Sequence, residues 1–188
     1  MSHIRPFDMP TLEEFFGGKK RVYDPLVRAG ITTLTPLFLT PEGLLQRTVK
    51  GLGPQRDAEV TSVLRTNSIR RHKSHEDIET CIDRTFGDIK DAPVGVLHVR
   101  IDRKQSENRP MYVPLELIKL LEEHEPHMTI TDLAELTRRE LMYIGSGVNN
   151  QSLSVDNIRE EVQHVVSRLA YFDISLAVPA PIAIRKFG

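Results

Sequence analysis

Two stretches of this chain share one pattern of apolar and turn-forming residues, and that repetition limits its fold more than any single segment does. Leu34-Thr-Pro-Leu-Phe-Leu-Thr-Pro-Glu-Gly-Leu-Leu45 can be laid on Ile130-Thr-Asp-Leu-Ala-Glu-Leu-Thr-Arg-Arg-Glu-Leu-Met142, with one residue, Glu135, left over in the second copy. Leu34 then pairs with Ile130, Leu37 with Leu133, Leu39 with Leu136, Thr40 with Thr137 and Leu44 with Leu141. A helical pattern precedes each copy, and a glycine-containing turn and a further helical pattern follow it. Two copies of one supersecondary unit account for a chain of 188 residues. The plain alternative is chance similarity between two short amphipathic stretches.

Apolar spacing predicts helices over residues 22–29, 56–64, 74–86, 113–125, 131–136, 137–143 and 154–171. Thr11 and Glu14 suit a capping box for a short turn through Phe16. Thr40 and Pro41 suit the cap and first position of a helix carrying Leu44, Leu45, Thr48 and Val49. Ser74 suits the cap of the helix that carries Ile78, Ile82 and Phe86. Ile31–Leu39 is apolar but interrupted by Pro36, and Asn67–Ser74 reads as a polar, basic linker. Residues 93–101, with Val94, Val96, Leu97, Val99 and Ile101, form the best strand candidate, with His98 half exposed on it. No partner strand is evident, which leaves an intermolecular sheet open. Gly145–Gln151 reads as a turn and Val178–Ile184 as a proline-containing tail.

The net charge of −1 conceals a segregation. Residues 17–73 carry eleven basic and four acidic side chains, a net +7, whereas residues 74–188 carry 13 basic and 19 acidic ones, a net −6. A basic first half suits a polyanion, unless the two halves neutralise each other across an internal interface.

The chemistry concentrates at Lys50-Gly51-Leu52-Gly53-Pro54-Gln55-Arg56. Two short helices joined by Gly-x-Gly form a helix-hairpin-helix. Glycines permit a sharp turn and a close approach of another backbone. The following helix offers unpaired N–H groups at its start, which suit a phosphate. Lys50 and Arg56 flank that point and Gln55 adds a donor. Contacts of this kind give affinity without sequence reading. The bland reading is a helix-loop-helix whose glycines serve packing alone.

These residues resemble a known family. Lys20-Arg-Val-Tyr-Asp-Pro-Leu-Val-Arg-Ala-Gly-Ile-Thr-Thr-Leu34, then Leu39-Thr-Pro-Glu-Gly-Leu-Leu45 and Gly51-Leu-Gly-Pro-Gln-Arg-Asp-Ala-Glu-Val60, are similar to the C-terminal domain of the bacterial RNA polymerase alpha subunit. The resemblance implies a compact helical unit with a helix-hairpin-helix, contacts to the DNA minor groove and phosphates, and contacts to transcription factors. It places Arg21 where the family has its main DNA-contacting arginine. It places Gly53, Gln55 and Arg56 at the hairpin glycine and the polar residues after it, and Glu59 at a later acidic position. Two departures stand out: Asp24 replaces a DNA-contacting asparagine, and Gln55-Arg56 replaces a lysine-serine pair. Base recognition would change with them. The segment 128–169 and the ending Ser167–Leu176 resemble the same domain in degenerate form. Its turn is longer, its preceding helix carries Glu122, Glu123 and Glu125, and no arginine stands where Arg21 does. Such a unit suits protein contacts better than DNA.

Little points to catalysis. His72 and His75, and His124 and His127, are pairs three apart, and Cys81 is close to the first pair, but zinc needs about four ligands. Asp83, Asp88, Asp91 and Asp102 are scattered around a turn and a strand end and read as a solvated face. No nucleophile elbow, phosphate-binding loop or dinucleotide fingerprint occurs. No enzymatic activity, metal or cofactor is expected. Aromatics are 6% with no tryptophan, which disfavours a stacking platform for single strands. No apolar run reaches the roughly 18 residues of a membrane span, and Met1 to Pro10 lacks the apolar core of a secretory leader. The single Cys81 fits a reducing, cytoplasmic setting, and beside an apolar stripe it reads as core.

The expectation is a mainly α protein of two small helix-hairpin-helix-like units. The first, basic unit spans residues 9–67, a linker with a helix and a strand 68–112, the degenerate unit 113–176 and a tail 177–188. The expected function is non-enzymatic binding of double-stranded DNA, in transcription or its regulation. Lys19, Lys20, Arg21, Lys50, Gly51, Gly53, Gln55 and Arg56 would line the DNA surface. Residues 113–176 would contact the transcription machinery, another protein or a second copy of the chain. The competing class is a protein–protein adaptor that docks on an acidic surface and binds no DNA.

Overall fold

The computed structural model describes residues 10–73, 76–101, 110–147 and 154–179 and is mainly helical. Its helices fall into two runs of four. The first comprises α2 (Lys20–Arg28), α3 (Thr35–Leu39), α4 (Leu45–Thr48) and α5 (Pro54–Thr66), preceded by the short α1 (Leu12–Phe16). The second comprises α7 (Glu116–His124), α8 (Ile130–Glu135), α9 (Arg138–Gly147) and α10 (Val155–Tyr171). Between them lie α6 (Ile78–Phe86), two 3-10 turns (Ile89–Asp91 and Val94–His98) and a two-stranded hairpin of β1 (Val99–Ile101) and β2 (Pro110–Tyr112).

The repetition is more regular than the sequence alignment suggests. One constant separation relates Lys20 to Glu116 at the starts of α2 and α7, Leu34 to Ile130, Leu37 to Leu133, Leu45 to Leu141, and Gly51 to Gly147. No residue is left over as far as Gly51 and Gly147; beyond them the separation grows, since α5 begins at Pro54 and α10 at Val155. Leu45 and Leu141 are both fully buried, whereas Leu44, which the alignment pairs with Leu141, is only half-buried. The two registers divide the evidence: burial pairs Leu45 with Leu141, whereas the buried Leu39 matches the half-buried Leu136 only with Glu135 left over, as the exposed Glu135 would otherwise stand opposite it. The last helix of each run also ends alike. The backbone turns left-handed at Ser68 (φ 64°) and Asp173 (φ 57°). Ile69 N–H donates to Leu64 O at 2.9 Å, and Ile174 N–H to Leu169 O at 3.1 Å. These bonds close the orphan carbonyls of a helix end.

Local rules explain most helix ends. Thr11 and Glu14 make the capping box at α1 and Thr129 and Asp132 one at α8; Ser154 caps α10. Gly30 (φ 78°) ends α2, with Ile31 N–H reaching Leu26 O at 3.0 Å. The cap of α6 is Asp77, which accepts from Thr80 N–H; the expected cap, Ser74, lies outside the described residues. Thr40 closes the end of α3, its N–H donating to Pro36 O at 3.2 Å, rather than capping the start of α4. It is buried with its hydroxyl unpartnered, and α4 begins only at Leu45, because the chain from Pro41 to Leu44 is held in turns by α5.

The two runs share one apolar cluster. Phe38 and Leu64 from the first and Leu117, Leu133 and Val165 from the second belong to it, as do Phe16 of α1 and Ile82, Phe86, Val96 and Leu97 between the runs. A fully buried Leu or Phe contributes roughly 1.5–3 kcal/mol, and this central layer supplies many. The strand expected over 93–101 is mostly a 3-10 turn. Val94, Val96 and Leu97 are buried together because α3, α7 and α10 all pack against this turn. The strand that does form pairs within the chain, Val99 opposite Tyr112 and Ile101 opposite Pro110. The pairing is antiparallel, so no second chain is needed for it.

Residues 69–72 are not a solvated linker. Ile69, Arg71 and His72 are buried, and His72 N–H donates to Phe38 O at 2.6 Å. His98 is 2% exposed rather than half exposed. Leu115 N–H donates to its Nδ1 at 3.1 Å, so Nε2 carries the proton and donates to Glu122 at 3.0 Å. Arg168 of α10 reaches across to the carbonyls of Leu97 and Val113, and burial lowers its pKa to about 10. Ala177, the first residue of the expected tail 177–188, donates to Ala134 O at 2.8 Å. Among the described residues, no helix is long and apolar enough to cross a membrane.

Candidate nucleic-acid interface

The first run brings the sequence-selected residues to the start of α2 and the α4–α5 turn. A Cβ on Gly51 would lie 3.9 Å from the Pro25 ring, which sets the turn against α2. Lys19 Nζ donates to Glu59 Oε1 at 2.9 Å, which ties the start of α2 to the second turn of α5. Gly51 is left-handed (φ 91°), so the turn needs glycine there. Gly53 has ordinary φ (−74°) and open space around its Cβ position.

The start of α5 is open. No side chain caps it, and Pro54 brings no N–H. The N–H groups of Arg56 and Asp57 both donate to Gly53 O at 3.0 Å. That leaves the Gln55 N–H with no partner among the described residues. A 13-residue helix with an uncapped start presents partial positive charge there.

The cations divide into two kinds. Lys20, Arg21 and Lys50 are exposed and make no ion pair among the described residues. Lys19 and Arg56 are engaged: Lys19 with Glu59, and Arg56 Nη1 with Gly51 O at 2.5 Å, across its own turn. Arg56 thus braces the hairpin as well as flanking it. Arg47 is a further exposed cation, on α4 three residues before Lys50. Sequence reasoning passed it over because it lies outside the glycine turn. Asp24 is exposed further along α2.

A buried ion pair fixes the turn before α4. The Arg71 guanidinium meets the Asp57 carboxylate and also donates to Thr40 O (3.0 Å), Pro41 O (3.1 Å) and Thr61 Oγ1 (2.8 Å). Asp57 Oδ2 accepts from Gly43 N–H at 2.8 Å. Arg71 and Asp57 together therefore hold residues 40–43 onto α5. Nothing in the local spacing announces this, since Asp57 and Arg71 belong to different segments.

The second run lacks these features at the matching positions. Lys20, Arg21, Arg47 and Lys50 correspond to Glu116, Leu117, Tyr143 and Ser146. Leu117 is buried, and its N–H donates to Glu161 Oε2 at 3.1 Å, so a carboxylate occupies the start of α7. Of the turn expected at 145–151, residues 145–147 continue α9, and residues 148–153 lie outside the described ones. Ile158 stands at the position of α10 that Asp57 has in α5, counted from each helix start.

The other groups considered for chemistry are placed as follows. Cys81 is buried, and desolvation raises its thiol to about 12, which disfavours the thiolate. His72 is buried, and its ring nitrogens lack a well-formed hydrogen bond among the described residues. Among the described residues, no three His, Cys, Asp or Glu side chains cluster as metal ligands. No family model, curated protein or solved structure matches this chain.

Proposed function

We propose that this chain is a non-enzymatic, double-stranded DNA-binding protein acting in transcription or its regulation. The first run binds the sugar–phosphate backbone or minor groove, and residues 113–176 contact protein. One observation carries the reading: three unpaired exposed cations, Lys20, Arg21 and Lys50, belong to the start of α2 and the glycine turn that leads into the uncapped α5. Phosphate oxygens suit such an arrangement of charge and free N–H groups. The resemblance of residues 20–64 to the C-terminal domain of the polymerase alpha subunit points the same way, with the α4–α5 turn as its helix-hairpin-helix. The buried Cys81 agrees with a cytoplasmic location.

The test is fluorescence anisotropy with a labelled duplex at low salt. Arg21→Ala and Lys50→Ala should each weaken binding several-fold, whereas Arg159→Ala, an exposed cation on α10, should leave it unchanged. Arg56→Ala should weaken binding and also loosen the turn. A folded protein that binds no duplex at low salt would overturn the reading in favour of the adaptor.

A further inference from the structure

The outer face of α5 carries no acid. Gln55, Ala58, Ser62 and Arg65 follow one another at steps of three or four residues and are all exposed, so they share that face. Both carboxylates of the helix are committed elsewhere. Asp57 is buried on Arg71, and the half-buried Glu59 is held by Lys19 at 2.9 Å. The other described helices of nine residues or more each expose an acid: Asp24 in α2, Glu79 in α6, Glu123 in α7, Glu140 in α9 and Asp156 in α10.

This face continues the cationic surface. Glu59 is one helical turn from both Gln55 and Ser62, so its pair with Lys19 brings the start of α2, where Lys20 and Arg21 are exposed, to the edge of the face. Of the segments packed against α5, α2 exposes Asp24 and the turn before α4 exposes Glu42. The Gly43 N–H bond holds that turn on the Asp57 side of the helix. Arg65 belongs to the last turn of α5 and makes no ion pair among the described residues. Gln55 and Arg65 are separated by about 15 Å of helix, which is about four base-pair steps of a duplex. Ala58 and Ser62 between them are short, so a polyanion can approach the helix along that whole length.

We propose that this face of α5 lies along the duplex and that Arg65 neutralises a DNA phosphate, as a second anchor about four base pairs from the glycine turn. The inference rests on the DNA reading above and extends its contact surface from the start of α2 to the far end of α5. A cation in the last turn of a helix also suits the helix dipole. The salt dependence of binding, which a dipole role would not change, separates the two roles.

Duplex binding by the full chain, followed by anisotropy against salt, tests it. Arg65→Ala should flatten the slope of log K against log salt by about 0.9, as expected for Arg21→Ala. Arg65→Lys should keep the wild-type slope, because a phosphate requires only the charge. Ala58→Glu should weaken binding about tenfold at low salt, since it puts a carboxylate in the middle of the face. Position 58 is exposed and glutamate is a good helix former, so the fold should be kept, and circular dichroism verifies it. If Arg21→Ala flattens the slope and Arg65→Ala does not, or if Ala58→Glu binds like the wild type, the proposal is overturned and the DNA reading stands. A wild type that binds no duplex overturns that reading and the proposal with it.

Discussion

Arg71 and Asp57 meet inside the first helical run with side chains 3% and 1% exposed, and their contact holds residues 40–43 onto α5. A buried pair of this kind costs much to desolvate, and removing one partner strands the other's charge. Asp57→Ala or Arg71→Ala alone should lower the unfolding free energy by about 3–5 kcal/mol in urea titrations. The double replacement Asp57→Ile with Arg71→Met should recover most of that loss, since Ile158 already fills the matching position of α10 with an apolar side chain. A double variant as unstable as the sum of the singles would contradict this account of the pair.

His72 predicts a pH dependence. It is 3% exposed, its ring nitrogens lack a well-formed hydrogen bond among the described residues although the Glu76 backbone is near, and burial lowers its pKa. Glu76 and Asp77 oppose that shift, but Glu76 is already paired with Arg84, whose charge adds to it. The unfolded chain takes up the proton first, at about pH 6.5. The stability that neutral His72 contributes is therefore complete above that pH and is lost as pH falls through the lower folded pKa. Urea midpoints between pH 7.5 and 5.5 should fall for the wild type and fall less for His72→Leu. Parallel curves would remove His72 as the cause.

The glycine turn separates conformation from contact. Gly51 requires a positive φ, so Gly51→Ala should cost about 1–2 kcal/mol of stability and weaken DNA binding with it. Gly53 requires no special φ, and nothing lies within 4 Å of its Cβ position. Gly53→Ala should therefore change stability by at most about 1 kcal/mol yet weaken DNA binding if a phosphate comes close to that backbone. Thermal melts and anisotropy on the two variants distinguish these outcomes. Equal stability losses would contradict the turn geometry.

The helices were legible in the sequence wherever one face is apolar, as in α6, α7 and α10, and so was the repetition. Its register was not, because Leu44 and Leu45 both look fit to be buried and only packing selects Leu45. The 93–101 segment misled for a related reason. A continuous apolar run signals burial on all sides, and a 3-10 turn enclosed by α3, α7 and α10 satisfies that as well as a strand does. Arg71 and His72 looked like part of a charged linker because their partners, Asp57 and the Phe38 carbonyl, come from other segments. Of the candidate interface, the open cations Lys20, Arg21 and Lys50 followed from the sequence. The internal engagement of Lys19 and Arg56 did not, since it depends on where Glu59 and the Gly51 carbonyl end up.

Gly95 tests the layer that joins the two runs. A Cβ there would collide with Glu122 Oε1, and that carboxylate is the partner of His98 Nε2. Gly95→Ala should push Glu122 aside, leave the buried imidazole with one hydrogen bond fewer and cost about 1–3 kcal/mol. Gly18→Ala, with nothing within 4 Å, is the control. A Gly95→Ala variant as stable as the wild type would show that Glu122 finds another position without loss.

The central claim is that the first run neutralises DNA phosphates with Lys20, Arg21 and Lys50. The most direct measurement is the slope of log K against log salt for duplex binding, wild type against Arg21→Ala. Each phosphate contact contributes about 0.9 to that slope. A steep wild-type slope that flattens by about 0.9 in the variant is the predicted result. A wild-type affinity that does not change with salt, or an unchanged slope in Arg21→Ala, would contradict it.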